Sequence, residues 1–169
     1  MGLREDLGRG PTALDTAVFI YYIEEHEAFL PLVAPVFEEV AAGRREAVTS
    51  SLTLLEVLVV PYRAGNVALA ERYEACLSRS RGVRLVEIGR THLRVAAQLR
   101  ALHAALRTPD ALQLAAALSA GCSAFVTNDR DLPGVPGLRV LKLRDYLQAP
   151  APGSSPTPRP RRAGRRSAR

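Results

Sequence analysis

Cysteine is nearly absent: Cys76 and Cys122 are the two in 169 residues, and both sit in apolar surroundings. That argues against a disulfide scaffold and against a cysteine-based zinc site. The three histidines, His26, His92 and His103, show no metal-ligand spacing and have no evident nucleophile as a partner. No apolar run approaches the roughly 18 residues that a membrane span needs, and the opening MGLREDLGRG is too polar for a secretory signal. Together these absences predict a soluble protein of the cytoplasm, in a reducing compartment. No internal repeat is visible, and Lys142 is the only lysine.

The charge is unevenly distributed. Overall there are 23 basic and 17 acidic residues, a formal +6. Residues 150–169 hold six arginines (159, 161, 162, 165, 166 and 169) and no acid, which leaves 17 basic residues against 17 acidic ones elsewhere. The body is formally neutral and the basicity belongs to the tail. A basic tail suits sequence-blind phosphate contacts with RNA, and equally suits a solvated end.

At this length one domain with a real core is expected. Hydrophobic content of 47% and charged content of 24% are ordinary for a globular protein. Residues 1–11 read as a flexible N-terminal extension ending at Gly10-Pro11, and residues 12–148 as the folded domain. The Pro-, Gly-, Ser- and Arg-rich stretch 149–169 reads as a disordered tail.

Within the domain, short apolar strands alternate with helices. Strands are expected at 12–15, 47–50, 83–86, 123–127 and 138–141. Helices are expected from Thr16 to Glu25, at 29–42, after Ser51 or Thr53 toward Pro61, at 67–79, at 91–106 and at 111–120. A closing helical turn is expected at 143–147. This alternation predicts a parallel sheet covered by helices on both faces. The stretch 108–132, TPDALQLAAALSAGCSAFVTNDRDL, is the most legible. Thr108 suits an N-cap, Pro109 the first helical position, and Gly121 the helix stop. The helix between is apolar on nearly every face, as a helix buried against a sheet would be.

Acids cluster where such a sheet gathers function, at the carboxyl ends of its strands. Asp15 ends the first strand, Asp129 follows the fourth, Asp110 opens the helix feeding that strand, and Glu56 lies on the helix after the second. Each has an ordinary reading as well. Asp110 suits a helix N-terminus, Glu56 the far end of a Thr53–Glu56 capping box, Asp15 a helix cap, and Asp129 and Asp131 a turn. Taken jointly, the four fall on one edge of the inferred sheet. Carboxylates that converge within about 4–6 Å raise one another's pKa unless a cation intervenes. Hard oxygen ligands of this kind suit Mg²⁺ or Mn²⁺.

The pieces LDT at 14–16, TSSLTLLEVL at 49–58, TPDALQLAAA at 108–117 and FVTNDRDL at 125–132 resemble, in order and spacing, the PIN domains of VapC-type toxin ribonucleases. The resemblance covers about residues 12–147. It implies a three-layer α/β/α fold with a five-stranded parallel sheet and a metal-dependent endoribonuclease acting as the toxin of a type II toxin–antitoxin pair. It further implies RNA as substrate, Mg²⁺ or Mn²⁺ as cofactor, a small antitoxin as partner, and a homodimer. Carried over motif by motif, the catalytic acids are Asp15, Glu56, Asp110 and Asp129, with Asp15, Asp110 and Asp129 as metal ligands. Glu56 completes the pocket or orients water, and Thr127 and Asn128 line it through hydrogen bonds. The chain departs from the pattern in having about ten residues more before the first acid and Leu132 where an aromatic often stands. Asp131 is a candidate to share the role of Asp129.

Three competing readings are weaker. An aspartyl-nucleophile phosphatase wants a second acid two residues after Asp15, and that position is Ala17. A receiver-like phosphoacceptor wants a lysine after a late strand, and Lys142 stands beyond the last one. A non-catalytic PIN-like module for RNA or protein binding would be marked by loss of one of the acids, and all four are present.

Overall fold

The computed structural model of the chain describes residues 2–147. The basic tail expected over 149–169 lies outside the described residues. Five parallel strands, β1 (Thr12–Leu14), β2 (Ala47–Ser50), β3 (Val83–Val86), β4 (Ala124–Thr127) and β5 (Arg139–Lys142), form one sheet in the order β3-β2-β1-β4-β5. Among the described residues α1 (Leu3–Asp6) precedes the sheet, and six helices lie between strands: α2 (Thr16–Ile23), α3 (Leu30–Ala41), α4 (Ser51–Arg63), α5 (Val67–Arg79), α6 (Arg90–Leu102) and α7 (Thr108–Ser119). A 3₁₀ turn over Leu143–Tyr146 closes the described part. No helix among the described residues is long and apolar enough to cross a membrane.

The alternation of side chains along each strand builds the three layers. Leu14, Ala47, Ala124 and Val126 point into one core with Val18, Phe19, Val33, Phe37, Tyr73 and Leu77, from α2, α3 and α5. Ala13, Val48 and Phe125 point into the other with Ala96, Leu99, Ala111, Leu114 and Ala115, from α6 and α7. Strands β1, β2 and β4 are short and buried throughout, so they read as apolar-rich runs. The edge strands β3 and β5 are partly exposed and carry Arg84, Arg139 and Lys142. The sheet, the helices on both its faces and the strand spans are as expected, within a residue or two at the ends.

Three local features differ. Residues 1–11 were expected to be flexible, yet Leu3–Asp6 form a helical turn, and Leu3 and Leu7 are buried in the first core. Two leucines one turn apart, with Tyr146 donating a 2.7 Å hydrogen bond to Asp6, hold this segment on the domain. Helix α6 ends at Leu102 instead of continuing to Leu106. The chain turns extended at His103, and Leu106 folds back into the second core at 5% exposure. Thr108 is the first residue of α7 and not its cap, because its hydroxyl accepts from Arg100 and the cap position falls to Arg107.

Candidate active site

The strand order places β1 at the centre, with β2 and β4 on either side and the chain progressing outward in both directions. The carboxyl ends of β1 and β4 therefore flank the switch point, where open parallel sheets leave a crevice. A cleft of about 1040 Å³ occupies that position, lined by Asp15, Glu56, Arg107, Asp110, Asn128, Asp129 and Asp131, among others. All four acids expected at the site line this one cleft.

Each is positioned by its element. Leu14 is in register with Val126, and the Asp15 N–H donates to the Val126 carbonyl at 3.0 Å, so Asp15 stands level with Thr127. The Thr127 hydroxyl donates to Asp15 Oδ2 at 2.6 Å, while Asp15 Oδ1 caps α2 by accepting from the Thr16 N–H at 2.8 Å. The ordinary reading of Asp15 as a helix cap is correct, and the cap is what aims the carboxylate into the cleft. Glu56 is not held by a Thr53 capping box: α4 starts earlier, with Ser50 at its cap. Glu56 lies one turn beyond Thr53 and accepts from the Thr16 hydroxyl through Oε2. Asp110 is the third residue of α7, where the helix N-terminus favours a carboxylate. Asp129 accepts through Oδ1 from the Asp131 N–H at 2.8 Å, so it closes its own turn while facing the cleft. Asp131 is an exposed neighbour on the cleft wall.

Burial pushes the Asp15 carboxyl above the usual carboxylate range; its hydrogen bonds with Thr127 and Thr16 oppose this, and the Glu56 and Asp110 carboxylates add to it. Arg107 supplies the balancing charge. Its Nε donates to Asp110 Oδ2 at 2.8 Å and its Nη2 reaches Asp129 Oδ2 at 3.4 Å. The hydrogen bond to Asp110, with Asp129 and Asp15 nearby, holds this guanidinium above its ordinary pKa.

Among the described residues no three His, Cys, Asp or Glu side chains stand close enough together to hold a metal ion. The donor chemistry still fits a hard divalent cation, since the acids offer oxygen alone and the Asp15 charge is disfavoured without a counter-ion. The histidines take no part: His26 and His92 accept from nearby backbone N–H groups, and none lines the cleft. Cys76 and Cys122 are free, and burial raises the Cys122 thiol to about 11.

A second tier of residues was not anticipated. Gln113 is buried in α7 and links three elements: Nε2 donates to Thr53 at 2.7 Å and to Thr16 at 3.3 Å, while Oε1 accepts from Ser50 at 2.9 Å. Through Thr16 this cluster reaches Glu56. Tyr21 stacks on Phe29 with ring centroids 4.4 Å apart and accepts from Asn128 Nδ2 at 2.7 Å on the cleft wall. Asn128 Oδ1 in turn accepts from Arg144 Nε at 3.2 Å.

Residues 12–138 match the PIN domain family in sequence. The chain belongs to that family. No curated protein matches it in sequence. Among solved structures, this PIN domain resembles one in the VapBC2 complex of Rickettsia felis bound to a DNA fragment from its promoter, with a TM-score of 0.63 and 17% identity over 78% of this chain and 97% of that one. It resembles VapC20 of Mycobacterium tuberculosis, described as a sarcin–ricin-loop-cleaving toxin, with a TM-score of 0.59 and 17% identity over 72% and 92% of the two chains. A third is VapBC-5 of the same organism, with a TM-score of 0.53 and 23% identity over 79% and 99%. At these identities the likeness is one of fold, and the PIN domain's chemistry must be argued from its own cleft.

Proposed function

We propose that the protein is a metal-dependent endoribonuclease that hydrolyses RNA phosphodiester bonds and acts as the toxin of a type II toxin–antitoxin pair in the cytoplasm. The observation that carries this reading is the convergence of Asp15, Glu56, Asp110 and Asp129 on one cleft at the switch point of the sheet. In this reading Asp15, Asp110 and Asp129 hold Mg²⁺ or Mn²⁺, which when bound supplies an activated water and neutralises charge growing on the phosphate. The protein's own part is positional. Thr127 and the start of α2 fix both oxygens of Asp15, and the Thr16 hydroxyl occupies Glu56 Oε2. Glu56 Oε1 is then the oxygen that orients a water and accepts its proton. Asn128, steadied by Tyr21 and Arg144, lines the path of the RNA.

Support for an antitoxin partner comes from the toxin–antitoxin complexes among the structural neighbours, and a homodimer is part of the same proposal. Support also comes from α4, where Leu55, Val59 and Tyr62 are exposed at spacings of four and three residues along one helical face. The test is cleavage of a mixed RNA pool by the antitoxin-free protein with Mg²⁺, with Mn²⁺ and with excess EDTA. Cutting should require metal, and Asp110→Asn should lower it at least about a hundredfold, since even outer-shell partners of metal sites are worth about 10–100-fold. Folded, metal-supplied protein that cuts nothing and binds no metal would leave the non-catalytic binding module as the surviving reading.

A further inference from the structure

The acidic cleft contains its own cation, which the nuclease reading does not use. Arg107 sits at the start of α7, in the loop that replaces the expected end of α6. The loop is pinned: Leu106 is buried, and Arg100 donates to the Leu106 carbonyl at 3.0 Å and to the Thr108 hydroxyl at 2.9 Å. The backbone of Arg107 is thereby held at the mouth of the cleft while its side chain stays 72% exposed. From there the guanidinium donates to both oxygens of Asp110, at 2.8 and 3.4 Å, and to Asp129 Oδ2 at 3.4 Å. These are two of the three carboxylates that the nuclease reading assigns to the metal. The planar fork of an arginine satisfies such oxygens as a pair.

We infer that Arg107 is an internal counter-cation that competes with the divalent metal for Asp110 and Asp129, so that metal binding displaces its side chain from the cleft. The inference rests on the proposed metal-dependent reading and explains why the acids converge without closing into a metal cluster. Arg107 caps α7 through its backbone alone, with no side-chain capping bond, so truncating it removes the competitor and spares the helix start.

The test is calorimetric titration of Mn²⁺ into the intact chain at fixed ionic strength, comparing wild type, Arg107→Ala, Arg107→Lys and Arg144→Ala, with circular dichroism to verify each fold. Arg144 is a nearby cation bonded to Asn128 rather than to Asp110 or Asp129. Arg107→Ala should bind Mn²⁺ about three- to tenfold more tightly, the scale set by two solvent-exposed ion pairs. Arg107→Lys, which keeps the charge and loses the fork, should gain less, and Arg144→Ala less than about twofold. Unchanged or weaker binding by Arg107→Ala overturns the inference, as does an equal gain in Arg144→Ala, which would reduce the effect to general charge. Those results leave the metal-dependent reading standing. Absence of Mn²⁺ binding in every variant removes both.

Discussion

The Gln113 cluster offers the sharpest test of how the fold supports the cleft. Gln113 is 4% exposed, and its partners Ser50 and Thr53 are fully buried. Gln113→Leu keeps nearly the same volume, so the change isolates hydrogen bonding from cavity formation. It deletes the bonds to Ser50, Thr53 and Thr16. Thr53 retains Thr49 at 2.8 Å and Thr16 at 3.1 Å, so those hydroxyls keep partners. Ser50 loses its acceptor. One stranded buried donor costs about 1–3 kcal/mol, and the other lost bonds add about 0.5–1.5 kcal/mol each. The expected destabilisation is therefore about 2–6 kcal/mol, read as a lower urea midpoint with an unchanged slope. Ser50→Ala alone should cost about 1–3 kcal/mol by stranding the amide oxygen. The double variant should cost less than the sum of the two, with a coupling of about 1–2 kcal/mol, because both members of the pair are then gone. A Gln113→Leu protein within about 0.5 kcal/mol of wild type would refute this account, since that is the range of surface changes that touch nothing. Strict additivity in the cycle would refute the Ser50 part of it.

Two further outcomes follow from the same structure. The Asp15 pKa is raised in the fold, so its ionisation opposes folding: the stability present below the ordinary carboxylate pKa is lost as pH rises through the folded value. Asp15→Asn keeps an oxygen for the Thr16 N–H and removes the charge. In EDTA its melting temperature should exceed that of wild type at pH 7, by about 2–4 °C for each kcal/mol regained, and the gap should shrink toward pH 3. A gap that is negative, or that ignores pH, would contradict the electrostatic argument. Leu7→Ala should cost about 2–5 kcal/mol in chemical unfolding, because Leu7 is fully buried in the first core. A change below about 0.5 kcal/mol would return residues 1–11 to the status of a flexible extension.

What the sequence made legible and what it hid separate along a physical line. Helix α5 and strand β3 fall at the expected bounds because each is a periodic or apolar run that starts just after a turn glycine, Gly65 and Gly82. The acids Asp15 and Asp129 were legible because they stand one and two residues past apolar strands, whose carboxyl ends define the site in such sheets. Helix α1 was not, since two leucines in a polar stretch are too few to show a period. The end of α6 was hidden for a different reason. Leu99, Leu102 and Leu106 keep helical spacing and no glycine or proline interrupts them, yet Leu102 is 77% exposed and Leu106 is buried by a reversed loop.

That concealed loop matters most for the cleft. Had α6 run on to Leu106 as its apolar spacing implied, the chain would have entered α7 without the pinned turn that Arg100 now holds. Arg107 is three residues from Asp110 but 22 from Asp129, so one of its contacts is local and the other exists only through tertiary structure. Gln113 poses the same problem: its partners lie 60, 63 and 97 residues away, and in the sequence it is a single polar letter in an apolar helix. Asp15 and Asp129 are visible because strand ends place them. The groups that balance and brace those acids depend on which side chains meet across the cleft, and strand and helix periodicity carries no information about that.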